Sequence, residues 1–178
     1  IVNNLINEYQ AIIKKTEQPL LIMTDSNVFF TKNMLYELAK HFKNEEIGLV
    51  GANVLNIGVQ QSGISFQEQW YIQRENVIKH QEGIIWGSMM GAFGACYALR
   101  YNLYKPVPQN FIVDDFYLSM KVLQHKKKAI KELKALCYED VSNDIYEEYR
   151  RKKRISAGNF QNLKAFASLL LPNEGGIA

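Results

Sequence analysis

The strongest constraint on the fold is an alternation between short apolar runs and segments whose apolar residues recur at helical spacing. Residues 20–23 and 47–55 are apolar runs of the length expected for buried strands. Between them, Thr31 is positioned to cap a helix. The apolar residues of that helix fall on one face: Met34, Leu35, Leu38, Ala39 and Phe42. This strand–helix–strand order predicts an α/β domain with a largely parallel central sheet.

The rest of the chain extends this pattern. The glycine-rich residues 87–97 indicate close approach of the backbone to a neighbour or a ligand. Gly158 is the weak point of the last helical region, which is predicted to form one helix or two. The remaining predicted elements are helices at 2–15, 67–80, 118–124 and about 143–171, and a strand at 135–138.

Composition narrows the class of protein. A chain of 178 residues fits one domain, and its net charge of +3 is too small to argue for nucleic acid. No apolar run reaches the roughly 18 residues of a spanning helix. The two cysteines do not make a disulfide framework and suit a reducing compartment.

The first chemical motif is Thr24-Asp25-Ser26-Asn27, directly after the first apolar run. A carboxylate at the carboxyl end of a buried strand lies where open α/β sheets bind ligands. Asp25 and a second oxygen ligand at Asn27 can share Mg²⁺ or Mn²⁺, which neutralises a diphosphate leaving group. A simple turn, in which these side chains bond backbone amides, explains the same four residues. The motif leaves both interpretations open.

A second acidic motif, Val113-Asp114-Asp115, precedes an apolar helix. Adjacent carboxylates at a helix start are favoured by the helix dipole, so capping alone accounts for them. The alternative is a general base that deprotonates an acceptor hydroxyl. Repulsion between the two carboxylates raises one pKa in the direction that such a base requires.

A basic run occupies residues 150–154, where Arg151 and Arg154 share a helix face. Paired guanidiniums suit the oxygens of a pyrophosphate. Two glutamates stand four residues before members of this run, which is the spacing of solvated ion pairs. Contact with an anionic lipid surface is a third interpretation.

Taken in order, TDSN (24–27), VDD (113–115) and RKKRI (151–155) resemble the family-2 glycosyltransferases. The resemblance is closest to the membrane-bound branch that includes cellulose and hyaluronan synthases. In that family an Asp-x-Asp motif follows a buried strand, an acidic triplet opens a later helix, and a Q-x-x-R-W motif lies on a further helix. Three further stretches are similar to the family: IGLVGANV (47–54), GAFGACYALR (91–100) and AGNFQNL (157–163).

The resemblance implies a GT-A type fold, which is a Rossmann-like, mixed and mostly parallel sheet flanked by helices. It also implies inverting, metal-dependent transfer of a hexosyl group from a nucleotide-diphosphate sugar to an acceptor hydroxyl. The expected partners are a nucleotide-sugar donor, a UDP-sugar first, and a carbohydrate or lipid-linked acceptor, with Mg²⁺ or Mn²⁺ and without nucleic acid. The implied roles are metal binding by Asp25 and Asn27, donor binding by Asp25, Arg151 and Arg154, base catalysis by Asp115, and acceptor binding by Gly94, Ala95 and Asp114.

Three features depart from the family pattern. Asn27 stands in place of the second Asp, Arg151 replaces the Gln, and Ile155 replaces the Trp, so processive synthesis is not expected. The family's first nucleotide-binding strands would precede Ile1. Residues 1–178 are therefore expected to form one partial catalytic domain, holding the metal-binding and acceptor half with an incomplete donor pocket.

Two alternatives to a glycosyltransferase stay open. One is a catalytically degenerate, membrane-attached partner module of the same fold, and the other is a sugar nucleotidyltransferase that shares the sheet and the acidic metal site. For a longer parent protein, the resemblance implies association with the cytoplasmic face of the cell membrane. The helical region at about 143–171 would then be membrane-proximal, and the fragment itself soluble.

Overall fold

The structure, a computed structural model, describes residues 17–171. Within this range a five-stranded sheet is flanked by helices. The strands are β1 (Leu20–Thr24), β2 (Val28–Phe30), β3 (Ile47–Ile57), β4 (Cys96–Arg100) and β5 (Lys128–Asp140). The α-helices are α1 (Met34–Ala39), α2 (Ile64–Ile85), α3 (Asp114–Gln124) and α4 (Ile145–Ala165). Short 3₁₀ turns occur at Lys40–Lys43, Tyr101–Leu103 and Ala167–Leu170.

The predicted α/β class with a mixed, helix-flanked sheet is confirmed, but the sheet is not mostly parallel. The strand order is β1-β4-β3-β5-β2, and in the described part of the chain only β3 and β5 pair in parallel. β1 and β3 do run in the same direction, as a strand–helix–strand unit predicts. The prediction failed because β4 lies between them and is antiparallel to both.

Two strands were missed in the sequence for different reasons. β2 has only three residues, too few for an alternating pattern to be recognised. All five residues of β4 are buried, so its sequence shows no alternation between apolar and polar positions. The helix predicted at 2–15 lies outside the described residues.

The core has two parts, one on each face of the sheet. Alternation along β3 directs Val50 into the cluster beneath α1 and Leu49 into the cluster beneath α3. Met34 and Leu38 of α1 pack in the first cluster, and Leu118 of α3 packs in the second. Because both faces of β3 are covered, its sequence reads as a nearly continuous apolar run.

The last helical region is one α-helix, α4, followed by the 3₁₀ turn at Ala167–Leu170. Gly158 does not interrupt α4, although the sequence left a break there open. No helix within residues 17–171 is both long enough and apolar enough to cross a bilayer.

Candidate active site

The residues after β1 lie at the edge of the sheet where β1, β3 and β5 all end. β1 and β2 are at opposite margins of the sheet, so residues 25–27 cross this edge to connect them. The carbonyl of Ala95 fixes the start of the crossing. It accepts hydrogen bonds from the Asp25 N–H at 3.2 Å and from the Thr24 hydroxyl at 3.0 Å. Open α/β sheets bind ligands at this edge.

The Asp115 carboxylate, in the first turn of α3, is held by backbone amides. Its Oδ1 accepts a hydrogen bond from the Phe116 N–H at 2.6 Å, and the Gly94 N–H also donates to the carboxyl group. A Cβ at position 94 would lie 2.8 Å from Asp115 Oδ2, so glycine alone permits this approach. Burial, reinforced by the charges of Asp114 and Asp25, raises the pKa of Asp115 to about 6. That value suits a general base working near neutral pH.

Asp25 belongs to the same electrostatic group. Loss of solvation and the charge of Asp114 raise the pKa of its carboxyl, whereas Arg154 and Arg151 act to lower it. The charges of Asp115, Asp114 and Asp25 also add to the effect of burial in raising the pKa of Tyr97. The fold therefore brings together acidic motifs that are about 90 residues apart in the chain.

The two arginines predicted to act as a pair have different surroundings. The Arg151 guanidinium contacts Glu148 at 3.2 Å and Glu68 of α2 at 3.3 Å, and both glutamate side chains are only 5% exposed. Lys152 completes this cluster, with its Nζ 2.8 Å from Glu68. Arg154 is exposed and forms no ion pair with any residue of the described range, while its charge acts on Asp25. Arg154 is thus the arginine that is available to a ligand anion.

Asn27 contacts a residue that the sequence did not connect with it. Its side chain hydrogen-bonds to the carboxyl of Glu139, at the end of β5. Across residues 17–171 no group of three or more His, Cys, Asp or Glu side chains is arranged to hold a metal ion. A nucleotide-bound Mg²⁺ commonly uses one or two carboxylates, with phosphates and water completing its shell. Asp25 beside Asp114 fits that type of ion, because a cation would relieve their repulsion.

The acidic pair on α3 is supported by residues of α4 for which the sequence predicted no such contact. A Cβ on Gly158 would lie 2.3 Å from Val113 Cγ2, so the glycine lets α4 pack directly against the residue before Asp114. Asn162 Nδ2 donates to the Val113 carbonyl at 3.0 Å, and Gln161 Nε2 donates to the Asn110 carbonyl at 2.8 Å. All three α4 residues lie in AGNFQNL, a stretch that resembles the family but to which the sequence assigned no role.

A cleft of about 360 Å³ lies between α2, α4 and the carboxyl ends of β3 and β5. We call it the α2–α4 cleft. It adjoins the residues above, because Asn27 and both arginines line it. The other lining residues are Asn56, Glu68, Ile72, Glu139, Asp140, Val141, Ser142, Glu147 and Glu148. No sequence motif predicted this cleft, because its walls come from five separate segments.

The predicted acceptor residues lie beside Asp115 rather than in the cleft. Gly94 contacts the Asp115 carboxyl, and Asp114 is exposed at the start of α3. Ala95 is only 5% exposed. Its contact with the site is made by its backbone carbonyl, which accepts hydrogen bonds from Thr24 and Asp25.

Comparison with known proteins finds two similarities, one in sequence and one in fold. Residues 1–77 match the family model described as glycosyl transferase family 21. Among solved structures, the chain is similar to a mannosyltransferase from Pyrobaculum calidifontis in complex with GDP-mannose and Mn²⁺, at a TM-score of 0.58 and 14% identity. The fold is that of a glycosyltransferase. No curated protein matches the chain.

Each similarity covers a definite part of the molecule. The family match contains Asp25 and Asn27 but ends before α3, so it does not include Asp115. The structural similarity covers 89% of this chain and 42% of the mannosyltransferase, so this chain spans less than half of that protein's length. Together the two similarities support a glycosyltransferase without naming its donor, its acceptor or its stereochemistry.

Proposed function

We propose that this chain is the metal-binding and acceptor half of a nucleotide-sugar-dependent hexosyltransferase that inverts the anomeric centre. The observation that carries the proposal is the Asp115 carboxylate. It is held by two backbone N–H groups, has a pKa of about 6, and is coupled electrostatically to Asp25 at the carboxyl edge of the sheet. Cellulose and hyaluronan synthases are the branch that the motifs resemble most.

The reaction is a single displacement with Asp115 as the general base. Asp115 takes the proton of the acceptor hydroxyl as that oxygen forms its bond to the anomeric carbon. The bond between the anomeric carbon and the phosphate oxygen breaks, and its electron pair leaves with the nucleoside diphosphate. The hydrogen bonds from Phe116 and Gly94 fix the direction of the carboxylate, so little reorganisation is needed when the proton moves.

Donor binding is assigned to Asp25, Arg151 and Arg154. Arg154 carries a guanidinium without an ion pair in the described range, and this suits the charge of the departing diphosphate. Arg151 contributes positive charge near Asp25 while it stays bound to Glu68 and Glu148. Asp25, with the Asn27 amide oxygen as a second ligand, would hold Mg²⁺ or Mn²⁺, which supplies charge neutralisation of the leaving group.

The donor and acceptor are proposed by class. The mannosyltransferase of similar fold was solved with GDP-mannose, which places GDP-mannose beside the UDP-sugars as a donor to test. The acceptor hydroxyl is proposed to belong to a carbohydrate or lipid-linked molecule beside Gly94, Ala95 and Asp114.

Membrane association is proposed for the longer protein, at the cytoplasmic face of the cell membrane. The supporting observation is the solvent face of α4, where Tyr146, Tyr149 and Phe160 are 75%, 67% and 74% exposed. Arg150 and Lys153 lie on the same face at helical spacing. Aromatic rings interleaved with cations suit the headgroup region of an anionic bilayer.

The test is release of nucleoside diphosphate by the chain, and by a longer form that carries the expected donor-binding strands, with GDP-mannose and UDP-sugars in Mn²⁺. We expect metal-dependent release from at least one donor by the longer form. Binding of donor without release would favour the degenerate partner module. Formation of a nucleotide sugar from a nucleoside triphosphate and a sugar phosphate would favour the nucleotidyltransferase.

A further inference from the structure

One residue of the glycine-rich segment 87–95 has both of its backbone polar groups held by side chains of α2. The Met90 N–H donates to Glu82 Oε2 at 2.9 Å, and the Met90 carbonyl accepts a hydrogen bond from Lys79 Nζ. Lys79 and Glu82 are three residues apart on α2, so both side chains leave the helix on the same face. The Met90 side chain is 45% exposed, so α2 holds this residue through its backbone rather than through burial of its side chain.

The other half of the same segment is bound to α3, beside the proposed base. The Ala92 N–H donates to the Ser119 hydroxyl at 2.9 Å, and that hydroxyl donates to the Asp115 carbonyl at 2.8 Å. The Gly94 N–H donates to the Asp115 carboxyl. The residue held by α2, Met90, is therefore only four positions before the residue whose amide contacts the base.

The backbone between these two attachments has little room to move. Gly91 has a φ of +76°, and a Cβ there would lie 2.7 Å from Phe116 Cδ2, so this turn packs directly against α3. The Phe93 ring is attracted by two ammonium groups, with Lys131 Nζ 4.3 Å and Lys79 Nζ 5.4 Å from its centroid. Because both residues between the attachments are packed in this way, a displacement at one end is expected to reach the other.

Holding the segment with a charged group costs solvation. The Lys79 side chain is only 11% exposed, and its ion pair with Glu75 is long, at 4.0 Å. Loss of solvation lowers the pKa of Lys79, and the nearby negative charges, which include Asp115, act in the opposite direction. An apolar side chain would avoid this cost. The ammonium group is therefore explained by what it contacts, which is the segment that carries the Gly94 amide to the base.

We propose that Lys79 and Glu82 are positioning residues for Asp115, because they fix Met90 and thereby the direction of the Gly94 N–H that holds the carboxylate. Catalytic groups depend on such outer contacts to keep their geometry. The identification of Asp115 as the base rests on the proposed glycosyl transfer. The mechanical connection from α2 to the Gly94–Asp115 hydrogen bond rests on the contacts above and is tested without turnover.

The probe is the Gly94 amide in the full chain labelled with ¹⁵N-glycine. Asp115→Asn sets the scale, because it removes the charged acceptor of the Gly94 N–H. We expect Lys79→Met to move the Gly94 amide signal in the same direction and to speed its hydrogen exchange about tenfold. Gly83, inside α2, is the internal reference and should exchange at its original rate. An unchanged Gly94 amide, or equal acceleration at Gly83, would overturn the proposal.

Matched variants separate loss of the Met90 contact from loss of charge or of helix stability. Arg74→Met removes an exposed cation of the same helix and should leave Gly94 unchanged. Glu82→Ala should speed exchange at Gly94, whereas Glu82→Gln keeps an acceptor oxygen and should recover most of the protection. The Glu82 pair keeps the test usable if Lys79→Met does not fold. An effect of Arg74→Met as large as that of Lys79→Met would contradict the positioning role.

Sugar transfer by the longer form is measured in parallel, so that the two proposals fail separately. Lys79→Met should lower kcat about tenfold and leave donor affinity unchanged. If Gly94 responds as expected but the longer form transfers no sugar, the transferase proposal is wrong and the connection from α2 to Asp115 stands. If sugar is transferred and either Gly94 or kcat is unaffected by Lys79→Met, the positioning role is wrong.

Discussion

The two acidic segments of the site are built in different ways. Asp115 opens a helix, its carboxylate receives two backbone N–H groups, and α4 packs against the residue before the pair. Asp25 lies on a short connection that crosses the end of the sheet, and the charges of Asp114, Arg154 and Arg151 act on its exposed carboxyl. The Asp115 carboxylate is held by backbone N–H groups, whereas the Asp25 carboxylate lies among charged side chains.

This difference suggests a division of labour. A proton acceptor gains from a fixed direction and a pKa near the working pH, which is what burial and backbone N–H groups give Asp115. A group that binds a cation and a diphosphate gains from exposure and from neighbouring charge, which is what Asp25 has. Substitutions that change one segment and leave the other intact can separate these two roles.

The largest effect is expected for Asp115→Asn. The amide keeps the shape of the side chain but cannot take the proton, so turnover should fall by roughly 10²–10⁴-fold. Donor affinity should change little, because the role proposed for Asp115 is proton transfer and not donor binding. Steady-state rates and donor titrations of the longer form measure both quantities. A variant that transfers normally would rule out Asp115 as the base.

A smaller effect is expected for Arg154→Ala, which removes the arginine without an ion pair in the described range. Hydrogen bonds to charged groups contribute about 1.5–3 kcal/mol, so donor affinity should fall by roughly 10–100-fold. Arg150→Ala is the matched control, since Arg150 is also exposed on α4 but is not among the charges acting on Asp25. Equal losses in the two variants would indicate a general charge effect.

The pH dependence of kcat/KM tests the role of Asp115 separately from that of Asp25. Because the pKa of Asp115 is raised to about 6, the basic form is lost as pH falls through 6. We therefore expect kcat/KM to fall about tenfold for each pH unit below 6. Asp114→Asn removes one cause of the raised pKa, so the acid limb should move to lower pH. A limb that stays in place in this variant would show that Asp114 has little influence on the base.

The smallest effect on chemistry is expected at Gly158, which supports Asp115 from a distance. Gly158→Ala places a methyl group against Val113, where a Cβ would lie 2.3 Å from Cγ2. We expect a loss of unfolding free energy of about 1–3 kcal/mol, as overpacked cores show. Ser156→Ala, on the exposed side of α4, is the control and should change stability little. Denaturant unfolding measures both variants.

Sequence reasoning worked where local pattern decides structure. β1 and β3 were predicted from apolar runs, and the acidic pair at the start of α3 was recognised from the chain alone. Strand order could not be read in this way, because β4 pairs with both β1 and β3 through contacts remote in sequence. The shared direction of β1 and β3 was predicted correctly, but their adjacency was not, because local pattern carries no information about an intervening strand.

The side-chain contacts of the site residues could not be predicted from the sequence either. Arg151 was predicted to act as half of a pair, but nothing local to it shows that Glu68, 83 residues away, contacts its guanidinium. Asn27 and Glu139 meet only because β2 pairs with β5. Gly158 was singled out only as a possible break in the helix, although a glycine inside an otherwise good helix commonly marks close packing.

The most direct test of the account is to measure donor binding and sugar transfer together in Asp25→Ala and Asp115→Asn of the longer form, with Mn²⁺ present. The account predicts that each variant loses a different function. Asp25→Ala should lose metal-dependent donor affinity, whereas Asp115→Asn should bind donor normally and fail to transfer. Equal loss of binding in both variants, or normal transfer by Asp115→Asn, would contradict the division between the two acidic segments.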